Sequence, residues 1–192
     1  MFQKDNFAED YKNIKTKELL YLEFDECSFN KCDFSNAILK NSIFSGCIFS
    51  SCNLSLMSII DCKFSDVTFI DCKIIGVDWT KANWDSLSIM PMKFKTSVID
   101  SSSFYGLDLD SWIIEECEVK DVDFTNSNLS NISFKYTKLT DSIFANTNLT
   151  KANFTHSEQF NIDIQNNNLD GAKFSRYESI RLLSSLNIEL VD

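Results

Sequence analysis

The chain has 192 residues, 44% of them apolar, with only four glycines and one proline. That composition supplies a continuous core and excludes a disordered or loop-rich chain. A formal net charge of −10 argues against direct binding to nucleic acid, which needs cations to displace counterions, and favours a basic protein surface as partner.

The first residues, Met1-Phe2-Gln3-Lys4-Asp5, lack the basic stretch and apolar run of a secretion signal. No window approaches the ~18 apolar residues of a membrane span. A cytoplasmic protein is expected, with no membrane contact. The seven cysteines are then expected as free thiols. Residues 1–21 carry two competing periods. Phe7, Tyr11 and Ile14 have helical spacing, while Ile14 and Leu19 fall on a step of five that governs everything after them. On that step Lys12 and Lys17 occupy an inward position, which argues against a regular coil. The segment is expected to be an irregular, partly extended cap.

From Phe24 to Phe174 every fifth residue is apolar, in 30 of 31 positions, and only Gln159 departs. Fourteen of the 17 phenylalanines lie on this series. Two residues before each of these centres stands a second selective position. It holds Cys27, Cys32, Ala37, Ser42, Cys47, Cys52 and their successors, including all seven cysteines. A helix repeats at 3.6 residues and a strand at 2. A period of five with one large and one small inward residue means a corner every five residues. Four sides close a coil, so 31 pentads make about eight coils. Stacked at the ~4.8 Å spacing of paired strands, they give a rod of roughly 35–40 Å. No coil stands alone; each covers its neighbours. The register has no break, so any inserted loop must be a multiple of five residues, and no large projecting loop is expected.

Between Leu87 and Trp112 the small position becomes large: Leu87, Met92, Leu107, Trp112. Trp79, Trp84 and the only proline, Pro91, lie close by. The stretch is either a hinge or binding bulge, or a locally wider coil with repacked side chains; size changes in cores are commonly absorbed by repacking.

Residues 175–192 change character. Ser175 and Glu178 have the spacing of a capping box. Tyr177, Ile180, Leu183 and Leu186 follow at helical spacing, then Ile188 and Leu190 in a strand-like run. A short C-terminal helix and strand would cover the open end of the rod. The surplus apolar residues Tyr177, Ile180, Leu183, Leu186, Ile188 and Leu190 form a candidate homodimer interface.

Catalytic constellations are absent from this pattern, and an enzyme is not expected. The only histidine, His156, falls at an outward corner. Cysteines 20 residues apart form columns, whereas a tetrahedral metal site needs ligands converging from several directions. No glycine-rich phosphate loop and no zinc motif occurs. No metal, cofactor or small-molecule substrate is expected.

The pentads Cys32-Asp33-Phe34-Ser35-Asn36 and Ala152-Asn153-Phe154-Thr155-His156 resemble those of the pentapeptide repeat family. The resemblance covers residues 22 to 174. It implies an all-β, right-handed quadrilateral β-helix. The whole chain is similar to the quinolone-resistance and microcin-immunity members in length, in its Phe-rich core with Cys at the small position, and in Asp170-Gly171-Ala172-Lys173-Phe174 leading to a capped helix. That likeness implies a rod-shaped dimer, joined at its C-terminal ends, acting on DNA gyrase and topoisomerase IV as a DNA mimic.

If centres 20 apart share a face, the face of Phe24, Phe44, Phe64 and Trp84 carries Glu23, Asp25, Glu26, Asp66, Asp85, Asp123 and Asp163 against Lys63. The adjacent face of Leu39, Ile59 and Trp79 is also acidic. The face of Phe34, Leu54 and Ile74 collects Lys73, Lys93, Lys95, Lys135 and Lys173. The seven acids are the candidate partner-binding residues, standing in for phosphates toward a type II topoisomerase. A structural or scaffolding rod presenting its surface to another protein is the alternative.

Overall fold

Phe24 lies beside Phe44, and Phe44 beside Phe64, in parallel strands. Twenty residues therefore bring the chain back one step along the same side. The computed structural model describes residues 2–85, 90–186 and 188–189. Phe29, Phe49 and Phe69 pair on the second side. Asp33, Asn53 and Lys73 bridge on the third, and Leu19, Leu39 and Ile59 on the fourth. The result is a right-handed square β-helix of about eight coils with a short C-terminal helix.

The five-residue period puts one large side chain per side on the axis. Phe24, Phe29, Phe34, Phe44, Phe64 and Phe69 are all at most 1% exposed. Their rings stack up the rod, as in Phe29–Phe49 at 4.6 Å and Phe44–Phe64 at 5.2 Å. Each such ring contributes ~1.5–3 kcal/mol by leaving water. The small position has a second requirement beyond size. Its thiol or hydroxyl donates to the carbonyl of the centre one coil back: Cys47 Sγ to Phe24 O at 3.3 Å, Ser127 Oγ to Phe104 O at 2.8 Å, Thr137 Oγ1 to Ile114 O at 2.8 Å. A buried donor is thereby satisfied.

Corners turn on the residue two after each centre, which takes positive φ almost throughout, and all four glycines sit there. The residue just before the centre selects the corner. An Asp or Asn in that place accepts from the N–H two residues on, as Asn53 Oδ1 does from Ser55 and Asp123 Oδ1 from Thr125. These pentads fold as turns. The three-residue strands from Glu23 to Lys120 all begin with some other residue.

Four departures correct the sequence expectations. First, residues 5–20 are not an irregular cap. Asp5–Phe7, Asp10–Lys12 and Glu18–Leu20 are strands that stack on the next coil. Asn6 pairs with Phe24 and Tyr11 with Phe29, an offset of 18. That offset turns Lys12 outward and puts Asn6 at a core position. Asn6 is satisfied there: Nδ2 donates to Gln3 O and Glu23 O, and Oδ1 accepts from Gln3 N–H and Tyr11 O–H. Phe2 closes the end, edge-on to Phe24.

Second, the coil contains an insertion that the pentad count conceals. Asn83 N–H donates to Cys62 O, where the first side should resume. Beyond Met90, however, Phe69 pairs with Phe94, an offset of 25. Five residues more than a side requires lie between Trp84 and Met90. Leu87 and Ile89 fall outside the described residues. Around the insertion the enlarged small positions do pack inward: Met92 and Trp112 are buried. Trp84 leans on Trp112 at 5.7 Å and donates Nε1–H to Trp79 O at 2.9 Å.

Third, the register slips at Gln159. This residue takes φ +59° as an early corner, and Ile162, not Ile164, pairs with Phe144. Phe160 and Ile162 are buried in place of Gln159 and Ile164. Asn148 and Asn168 restore the offset of 20.

Fourth, the C-terminal helix, Glu178–Ser185, is a 3₁₀ helix without a side-chain cap. Ser175 Oγ is used elsewhere, accepting from His156 N–H at 2.7 Å. The capping box therefore does not form. Ile188 and Glu189 are not in a strand, and Leu190 lies outside the described residues.

Candidate protein-binding faces

The insertion moves every later pentad to the next side. Phe124 stacks on Phe104 at 5.5 Å, and Phe104 on Trp79 at 5.7 Å, so Phe124 belongs to the fourth side and not to that of Phe44 and Phe64. The face assignment by steps of 20 therefore holds only as far as Asp85.

Of the seven candidate acids, Glu23, Asp25, Glu26, Asp66 and Asp85 lie exposed on the first side. Glu23 and Asp25 stand in the strand Glu23–Asp25, beside Asp5 and Phe7 of the preceding coil. Asp66 is not free: Lys93 Nζ lies 2.9 Å from it. Asp123 and Asp163 are on the fourth side, half-buried, and both hold corners. Asp123 accepts from Thr125 N–H at 2.9 Å and Asp163 from Gln165 N–H at 2.8 Å. Their main task is structural.

Asp108 and Asp110, on either flank of Leu109, join the first side although the count of 20 missed them, as does Asp170 beside Leu169. Asp108 accepts from Asn128 Nδ2, and Asn128 in turn from Asn148 Nδ2, both at 2.8 Å. Asp110 accepts from Ser130, Asn131 and Ser111. Chiefly the Ser130 hydroxyl, with help from Asn131 and Ser111, holds its carboxyl below the usual carboxylate range. Knowing the insertion's place would have found all three.

The first side thus carries Asp5, Glu23, Asp25, Glu26, Asp66, Asp85, Asp108, Asp110 and Asp170 against Lys63 and Lys151. The fourth side, adjacent to it, carries Glu18, Asp61, Asp78, Asp123 and Asp163 against Lys40 and Lys81. Lysines 93, 95, 135 and 173 lie on the second side, next to the acidic one and not opposite it.

The cysteines are all buried and unpaired. Burial pushes the thiols of Cys47 and Cys117 up to about 12 and that of Cys62 to about 11. Among the described residues no group of three or more His, Cys, Asp or Glu side chains is arranged to hold a metal. No described helix is long and apolar enough to cross a membrane. His156 stacks on Tyr136 at 4.8 Å.

At the C-terminal end, Tyr177 is 89% and Ile180 56% exposed, Ile188 is exposed, and Leu183 and Leu186 are half-buried. Leu182, which the sequence reading passed over, is the residue that packs on the core.

The pentapeptide repeat region model matches residues 22–104 and 97–174. Among solved structures, full-length QnrB1, a plasmid-mediated fluoroquinolone resistance protein, is 18% identical; the match covers 96% of this chain and 100% of that one with a TM-score of 0.58. A trypsin-treated QnrB1 variant is 17% identical over 98% and 99% of the two chains, with a TM-score of 0.49. Comparison with curated proteins gave no match.

Proposed function

Because this chain belongs to the pentapeptide repeat family, we propose that it is a non-catalytic, cytoplasmic rod that binds a type II topoisomerase as a mimic of DNA. The observation that carries this reading is the acidic column of the first side, from Asp5 and Glu23 to Asp110, flanked by the acids of the fourth. A DNA duplex is likewise a rod of regularly spaced negative charge. A basic groove built for one attracts the other. The fold likeness to a fluoroquinolone resistance protein over nearly the whole of both chains supports the choice of enzyme.

The reading extends to a homodimer. Of the apolar residues Tyr177, Ile180, Leu183 and Leu186 at the end of the rod, the first two are exposed and the last two half-buried, and an open core edge there needs a cover. Two such ends joined would double the length of charged surface.

The test is a supercoiling assay with gyrase, with and without a quinolone, titrated with this protein. A change in supercoiling or in quinolone tolerance is expected at low salt and is lost as salt rises. Replacing Glu23, Asp25, Glu26, Asp108 and Asp110 by their amides should abolish it. An effect that survives those replacements sinks the mimicry.

A second reading, a scaffold that docks an apolar protein surface, is favoured by one observation. Leu20, Ile38, Leu56 and Ile60 are 38–59% exposed and lie together on and beside the fourth side. It predicts no effect on supercoiling and a partner lost on Leu56→Asp.

A further inference from the structure

The slip at Gln159 opens a cavity of about 810 Å³ between the last coils and the C-terminal helix. Grooves along the regularly stacked coils are smaller, as in the one of about 600 Å³ beside Trp112, Asn131 and Asn153. Here the third side ends two residues early, at the Gln159 corner, and the fourth side runs two residues long. Gln159 itself is held aside by Thr140, whose hydroxyl donates to Oε1 at 2.5 Å. The floor is apolar: Phe144 and Phe160 are at most 5% exposed, with Ile143 exposed at the side.

Charge on the rim is unbalanced. Asp141, Asp163 and Arg181 all line the cavity. Arg181 is already engaged, its Nε lying 2.5 Å from Glu178 Oε2. Neither Asp141 nor Asp163 has a cationic partner within 4.0 Å among the described residues. Asp163 uses its oxygens on Gln165 N–H and Asn166 Nδ2, and a carboxylate retains further acceptor sites after two such bonds. Two unneutralised carboxylates over an apolar floor match one chemistry well: a planar cation with several donors on an apolar stem. A guanidinium is more weakly hydrated than an ammonium and so is cheaper to bring into such a site.

We propose that this cavity takes an arginine side chain from the protein partner, with the guanidinium on Asp141 and Asp163 and the stem against Phe144, Phe160 and Ile143. The inference deepens the DNA-mimic reading and rests on it for the identity of the partner, since a DNA-binding groove is rich in arginine. The pocket itself belongs to this chain alone and is tested without any topoisomerase.

The probe is N-acetyl-arginine amide, titrated into the ¹⁵N-labelled full-length protein while amide shifts are followed. Its neutral isostere, N-acetyl-citrulline amide, is the control. Saturable shifts confined to residues 140–144, 159–163 and 181–184 are expected with the arginine probe, with binding at least about tenfold weaker for the isostere. The double variant Asp141→Asn, Asp163→Asn should lose the same factor; its asparagine at 163 can still accept from Gln165 N–H, so the corner is kept. A spectrum otherwise unchanged certifies its fold. Equal binding of the two probes, shifts spread along the acidic sides, or no saturable shift at all overturns the proposal. Arginine binding without any effect on gyrase leaves the pocket standing and defeats the topoisomerase reading. A gyrase effect undiminished in the double variant does the reverse.

Discussion

Corner positions show how single atoms decide tolerance in this molecule. Gly76 and Gly106 have nearly the same backbone, φ +68° and +69°. A Cβ at Gly76 would lie 2.7 Å from Leu56 Cδ2, whereas nothing lies within 4 Å of one at Gly106. Both alanine variants carry the left-handed strain, about 1 kcal/mol. Gly76→Ala must also displace Leu56, so its denaturation midpoint should fall below that of Gly106→Ala. Equal midpoints would show that the leucine yields freely. Asp33 supplies a pH test. The Ser35 hydroxyl and N–H, then Lys15 at 3.0 Å, hold its carboxyl well below the usual carboxylate range. A carboxyl lowered on folding stabilises the fold above its unfolded value, near 4, and that contribution fades as pH falls further. The Asp33→Asn variant should therefore lose less stability between about pH 4 and pH 2 than the parent, as acid titrations of urea midpoints would reveal. The acidic identity of this position was plain in the sequence, but its work as a corner brace was not. The same holds for Asp123 and Asp163, whose hydrogen bonds depend on a turn that has to be seen.

At the level of elements, the pentad was legible because a single physical demand, one large apolar group per side, repeats without competition. Where the demand failed, the structure failed to follow: Gln159 was the one polar centre, and the slip occurs there. The insertion near Trp84 was hidden for the opposite reason. Five extra residues leave every later centre in phase, so no periodicity can reveal them. The oversized small positions from Met92 to Trp112 were its only trace. Deleting residues 85–89 joins Trp84 directly to Met90, whose carbonyl already accepts from Asp66 N–H. We expect that variant to fold, with a cooperative thermal transition within a few degrees of the parent. Deleting four residues instead should throw the later coils out of phase and lower the midpoint by far more; circular dichroism melts of the two distinguish these outcomes. The short C-terminal helix was legible, but its lack of a side-chain cap and its 3₁₀ winding were not. Tyr177, Ile180, Leu183 and Leu186 are spaced by three, the period of a 3₁₀ helix, with Ile180 and Leu183 inside it and Tyr177 and Leu186 at its two ends.

Considered whole, the molecule is a rod with unlike sides and unlike ends. Its N-terminal end is sealed by Phe2 and Asn6. The C-terminal end leaves Tyr177 and Ile180 in water. If two copies join there, Ile180→Asp should halve the mass found by sedimentation equilibrium while leaving the far-ultraviolet spectrum unchanged; a parent already monomeric at high concentration would remove the dimer from the proposal. The five-residue insertion has a consequence beyond this chain's own charge map. It behaves like one click of an indexing wheel. Every residue beyond it keeps its neighbours along the axis, yet the surface pattern of the distal coils is turned by ninety degrees against that of the proximal ones. A lineage gaining or losing a single pentad can thus recombine two half-surfaces into a new face in one step, while the core that holds them goes undisturbed.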